Sequence, residues 1–191
     1  MEQNKEMTAQ ESLKLISETL NNSRRDILRK NAKYYVLWGC LLTVFSLLVY
    51  FLWHFTGKAS WNFLWFVMPV VGLPLAALLH KKDTVVPQSF VGNLTGKIWG
   101  VFAAFALTLS ALAVLIAPMP VTLVIVILLG MAETFTGVVL KNWPIIIGGF
   151  IFGVVGAVAA TMLQTEAQML LFTLGGVILA ITGVIIKLQN K

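Results

Sequence analysis

Six stretches of nearly unbroken apolar sequence dominate the chain: about Tyr34–Phe55, Asn62–Leu79, Ile98–Ala117, Val121–Leu140, Pro144–Leu163 and Met169–Ile186. Each is close to the ~20 residues that a helix needs to cross a hydrocarbon layer. Hydrocarbon offers backbone amides no hydrogen-bond partner, so a spanning segment must satisfy its own N–H and C=O groups. A helix does this locally, and the runs lack the alternation of barrel strands. The expected fold is therefore all-α and polytopic: six transmembrane helices as three helical hairpins over residues 34–191, preceded by a cytoplasmic amphipathic helix in residues 1–33. Composition agrees. The chain is 58% hydrophobic and 12% charged, against about a quarter charged in soluble domains, and a soluble enzyme does not fit that excess.

Charge sets the orientation. The 14 Lys and Arg outnumber the 8 Asp and Glu. Placing the N-terminus in the cytoplasm puts Lys5, Lys14, Arg24, Arg25, Arg29, Lys30, Lys33, Lys81, Lys82, Lys97, Lys141, Lys187 and Lys191 on one side, with Lys58 alone opposite. This is the positive-inside arrangement of a multi-pass inner-membrane protein with both termini cytoplasmic. Aromatic rings fall at both boundaries: Tyr34, Tyr35, Trp38, Trp99 and Trp143 at the inner one, Trp53, Trp61 and Trp65 at the outer. They read as interfacial anchors. The polar and acidic opening of the chain is unlike a cleavable signal, so the first span is expected to be retained. The outer connections are short. The longest inner one, residues 80–97, contains Pro87, Gly92 and Gly96 and reads as a loop.

The segment TGVVLK at Thr136–Lys141 recurs as TGVIIK at Thr182–Lys187, 46 positions later, and Gly130 then falls on Gly176. Span two ends similarly in AALLHK. Duplicated hairpins are one reading; the other is that spans ending in small residues and a lysine are common. Small residues also form helix-packing stripes, with Gly149, Gly153 and Ala157 on span five and Gly176, Ala180 and Gly183 on span six. Such stripes let helix backbones approach closely in lipid. They are expected to hold span five to span six within the chain.

The segments GVFAAFALTLSALAVLIAPMPVTLVIVILLGMAETFTGV and IIIGGFIFGVVGAVAA with LLFTLGGVILAITGV, within residues 98–187, resemble the hairpins of HdeD-like acid-resistance membrane proteins. The resemblance rests on glycine spacing, Pro118 and Pro120 at an outer turn, and a glycine near the end of each second helix. It implies a stress-associated membrane role in a bacterium and carries no catalytic motif. The N-terminal third, with NSRRDILRKNAKYYVLWG and NFLWFVMPVVG, is similar to small bacterial membrane proteins without an assigned activity.

Glu133 is the only acidic residue inside an expected span. An ionised carboxylate there is costly, so the neutral acid is favoured unless a cation or water meets it. At similar depth lie Thr43, Thr108 and Thr182, with Thr134 and Thr136 nearby in sequence; together with Glu133 they form a candidate intramembrane polar site. One reading is a structural interhelical hydrogen bond. The other is a small proton-coupled transporter or channel. Pro69 and Pro74 in span two are weak support for a pocket.

Thr8 and Glu11 form a capping-box pattern, after which Leu13, Ile16, Leu20 and Ile27 fall within about 60° of a helical wheel. Arg24, Arg25, Arg29, Lys30 and Lys33 follow just before span one and are candidate contacts to anionic lipid headgroups. The alternative is a protein partner or self-association through residues 8–33. Nucleic acid is not expected, because no helix-turn-helix pattern accompanies the charge. Cys40 has no second cysteine, His54 and His80 lie at opposite faces, and no catalytic motif occurs, so no metal, cofactor or catalytic residue is expected. The sequence thus points to a non-enzymatic membrane protein with a regulatory role, with transport through Glu133 as the alternative. An impermeant amine reagent applied to intact cells is expected to modify Lys58 and spare Lys82 and Lys187; modification of Lys187 would contradict the orientation.

Overall fold

A computed structural model describes residues 8–80 and 90–189. Lys5, Lys81, Lys82, Lys191 and Pro87 lie outside the described residues. The six helices are α1 Ala9–Thr56, α2 Leu64–His80, α3 Phe90–Leu115, α4 Val121–Leu140, α5 Trp143–Met162 and α6 Met169–Gln189, with a 3₁₀ turn at Ala59–Phe63 leading into α2. All six, counting that turn with α2, are long and apolar enough to cross a membrane. No strand occurs among the described residues.

Two boundaries differ from those expected. Helix α1 is continuous for 48 residues, so the N-terminal segment and span one are one rod. The stretch between Ala9 and Tyr34 has no glycine or proline to stop it, and Asn21, Asn22 and Ser23 each disfavour a helix by only a few tenths of a kcal/mol. The rod begins at the anticipated capping box: Thr8 Oγ1 accepts from Glu11 N–H, and Thr8 N–H donates to Glu11 Oε2 at 2.9 Å. It ends at Gly57, whose φ of 66° gives the left-handed cap that glycine adopts freely. Helix α3 begins at Phe90, so residues 90–97 are its first turns and not a loop.

The tightest packing does not follow sequential hairpins. Helix α1 lies antiparallel along α6, and α4 antiparallel along α5; these pairs meet through α5–α6 and α1–α4 contacts to form a four-helix core. Helix α2 packs on α1, and α3 on α4 and α1. The stripes on spans five and six therefore face different partners. A methyl group added at Gly130 of α4 would lie 2.6 Å from Gly153 N and 2.7 Å from Gly149 O of α5. One at Gly176 of α6 would lie 2.7 Å from Gly39 O and 2.7 Å from Thr43 N of α1. Gly183 fits against Ala32, Tyr35 and Val36, and Ala180 against Gly39. Ala157 lines the lipid-facing groove of the α4–α5 pair.

The turn explains why α5 turns its glycines to α4. Lys141 adopts a left-handed conformation (φ 51°) that ends α4, and Asn142 caps α5 by accepting from Ile145 N–H at 3.2 Å. Two residues thus reverse the chain and hold the two backbones side by side. Helices α5 and α6 meet instead through the Phe152 ring seated on Gly175.

Gly130→Leu is expected to destabilise the bundle by about 1–3 kcal/mol through overpacking. Gly100→Ala, where a methyl meets nothing within 4 Å, is expected to be neutral or stabilising by up to about 1 kcal/mol. Thermal unfolding in detergent measures both, and equal effects would contradict the pairing.

Candidate functional site

Glu133 sits where the four core helices converge and is 3% exposed. Its Cβ backs onto Gly149 of α5, and its Oε1 would lie 3.5 Å from a methyl placed on Gly148. Thr182 Oγ1 of α6 approaches the same point to 3.8 Å. From α1, the Tyr35 Cβ lies 2.8 Å from a methyl placed on Gly183, the residue after Thr182. Glu133 Oε1 and Tyr35 Oη are both buried without a hydrogen-bond partner. Buried polar atoms are rarely left so, since each unsatisfied group costs about 1–3 kcal/mol.

Of the hydroxyls placed by sequence at this depth, only Thr182 comes to Glu133. Thr43 donates to Gly39 O at 2.8 Å and packs on Gly176. Thr134 and Thr136 donate to Gly130 O and Ala132 O at 2.7 and 2.8 Å, along their own helix. Thr108 is exposed on α3 and donates to Ala104 O. Each hydroxyl bonds the carbonyl one turn earlier, the usual way such side chains satisfy themselves inside a helix.

Tyr35 was not legible as a site residue because its position matches an interfacial anchor. The signal that finds it is spacing: Leu28, Ala32, Tyr35, Gly39, Leu42, Ser46 and Val49 recur every three or four residues and form the buried face of α1. Further along that face, Ser46 and Thr173 hydroxyls lie 2.8 Å apart between α1 and α6.

Among the described residues, two surface grooves stand near the helix pairs and the outer turn. One of about 550 Å³ lies over the α4–α5 contact, lined by Met131, Thr134, Phe135, Gly149 and Gly153. The other, of about 580 Å³, lies beside Lys58, Trp61, Phe63 and Val70. Neither is lined by Glu133, Tyr35 or Thr182.

The basic cluster before span one divides. Arg24 Nε donates to Val139 O at 3.0 Å near the end of α4, and Lys33 Nζ donates to Leu79 O at 2.9 Å near the end of α2. Cations there meet carbonyls that a helix terminus leaves unpaired, together with the negative end of its dipole. Arg25 and Arg29 are exposed, and Lys30 is half-buried. At the tip of α1, hydrogen bonds from the Thr8 backbone and side chain hold the Glu11 carboxyl below its usual range. That contribution is present above the unfolded carboxylate's pKa and is lost as pH falls through the lower folded value.

Among the described residues no cluster of His, Cys, Asp and Glu could hold a metal. Cys40 is exposed on α1, and His54 pairs with Glu166 at 3.3 Å, while His80 lies at the end of α2, 3.4 Å from Tyr34 Oη. No family model matches the chain, and neither does any curated protein or solved structure.

Arg24→Ala is expected to destabilise the bundle by about 1 kcal/mol through loss of a charge-assisted bond to a helix end. Arg25→Ala, on the exposed side, is expected to change stability by less than about 0.5 kcal/mol. Thermal unfolding of the two variants separates the roles.

Proposed function

We propose that this chain is a non-enzymatic, multi-pass protein of a bacterial inner membrane, built on three hairpins with cytoplasmic termini, and that it has a regulatory or stress-associated role. Its amphipathic N-terminal helix engages the cytoplasmic lipid surface or a partner. The observation that carries this reading is the unbroken α1: one rod bears the segment from Ala9 and also packs along α6 in the membrane core. Leu13, Leu15 and Ile16 are exposed on that rod, and Arg25 and Arg29 follow them with free faces. The exposed cations, nearer span one, suit a surface of anionic headgroups, and the apolar side chains toward the tip of the rod suit that surface or a partner. A force on the N-terminal segment would therefore reach the core through a stiff element. The resemblance of residues 98–187 to HdeD-like proteins supports the stress association.

A second reading, a small proton-coupled transporter or channel, is favoured by the unpartnered oxygen of Glu133. Proteoliposome flux that persists unchanged in Glu133→Gln removes that residue from such a mechanism.

The surface-docking reading is tested on the whole chain with an environment-sensitive fluorophore at Ile16→Cys in a Cys40→Ser background. Anionic vesicles are expected to shift its emission to the blue and zwitterionic ones to leave it unshifted. Replacing both Arg25 and Arg29 by Gln is expected to weaken docking by about 2 kcal/mol, roughly thirtyfold. Equal emission in both lipids would exclude headgroup docking and leave a protein partner.

A further inference from the structure

The two tight helix pairs are built alike. Positions on α4 correspond to positions 46 later on α6, and positions on α5 to positions 110 earlier on α1. Gly130 meets Gly149 O and Gly153 N as Gly176 meets Gly39 O and Thr43 N. Gly149 meets Thr134 N as Gly39 meets Ala180 N, and Gly137 meets Ile146 as Gly183 meets Val36. Under this correspondence Thr182 matches Thr136, and both are buried. Glu133 matches Leu179, and Tyr35 matches Ile145; Leu179 and Ile145 are 6% and 0% exposed in one apolar cluster.

The fold thus has leucine and isoleucine at the positions that match Glu133 and Tyr35, and Tyr35 sits in the same buried cluster as both, while Glu133 Oε1 and Tyr35 Oη are unpaired. Packing alone is met by Leu and Ile, and exchanging buried polar groups for apolar ones of similar volume is often neutral or stabilising. The polar copy needs another reason.

We propose that Glu133, with Tyr35 and Thr182 beside it, is a proton-binding site in the seam between the α1–α6 and α4–α5 pairs, and that release of its proton to water separates the pairs. Every element packed against the carboxyl is accounted for among the described residues. Helix α1 contributes Tyr35, packed on Gly183 next to Thr182, α5 contributes Gly148 and Gly149, and α6 contributes Thr182, while on α4 itself Thr134 and Thr136 give their hydroxyls to backbone carbonyls. Tyr35 is the titratable group in that set, and no cation faces Glu133. The neutral acid is thus the form compatible with a dry seam, and the carboxylate gains stabilisation only if water enters.

The seam is the place to open. Within each pair, backbones touch at glycines; between α5 and α6 the contact runs through side chains such as Phe152 on Gly175. The coupling requires only that the separated state bind the proton less tightly than the closed one. It is independent of whether anything is transported, because its readout is conformation.

The test uses the full chain in lipid nanodiscs, with spin labels at the exposed native Cys40 on α1 and at exposed Val154→Cys on α5. Raising the pH is expected to shift the native distance distribution to longer values, reversibly. Glu133→Gln is expected to hold the low-pH distance throughout. Glu133→Leu, which installs the residue found at the matching position, is expected to do the same and to unfold at a higher temperature than the native chain. Tyr35→Phe is expected to move the midpoint of the transition. A native distance that does not change with pH, or a Glu133→Gln chain that follows the native course, would overturn the proposal. So would loss of thermal stability in Glu133→Leu.

Discussion

Backbone contact at glycine is the interaction on which this structure depends. Lipid tails solvate leucine as well as another helix does, so apolar area alone does not bring spans together; close approach and the dispersion it permits must do so. Gly130, Gly149 and Gly153 supply that approach between α4 and α5, and Gly39, Gly176 and Gly183 supply it between α1 and α6. The large apolar side chains left on the outer surface, Phe105, Phe135, Phe150 and Leu174 among them, are what a hydrocarbon solvent requires. Helices α2 and α3, with fewer such contacts, lie at the periphery.

From those two contacts follows the placement of the polar groups. Drawing four backbones together encloses a small volume that residues of α1, α4, α5 and α6 must fill. Leu179, Ile145 and Tyr35 fill it in one buried cluster, and Glu133 and Thr182 are buried with them. Arg24 and Lys33 meanwhile join the N-terminal rod to the ends of α4 and α2, so movement of that rod and movement of the core pairs share mechanical parts.

Much of this was legible in the residues. The apolar runs gave six helices, since length and continuity in hydrocarbon leave few alternatives, and Thr8 with Glu11 announced the start of α1. Recurrence of TGVVLK as TGVIIK marked two helices that proved to be packed in related ways. Partner choice was not legible. A small-residue stripe states that a helix approaches closely, but it carries no address, and Gly153 could not be assigned to α4 before the two-residue turn at Lys141 and Asn142 was seen. Tyr35 was hidden for a similar reason, because an aromatic ring near a membrane boundary has an ordinary explanation. Thr43, Thr108, Thr134 and Thr136 shared the depth of Glu133 but give their hydroxyls to backbone carbonyls of their own helices, as depth fixes one coordinate and rotation about the helix axis fixes the other.

Pairing of α1 with α6 is the central structural claim, and oxidative cross-linking in native membranes tests it most directly. With Cys40 replaced by serine, cysteines at Ser46 and Thr173, whose oxygens lie 2.8 Å apart, should form an intramolecular disulfide rapidly under mild oxidant. A membrane-inserted chain in which that pair stays reduced, while a cysteine at Thr173 readily joins one on lipid-facing Val154 of α5 instead, would contradict the account.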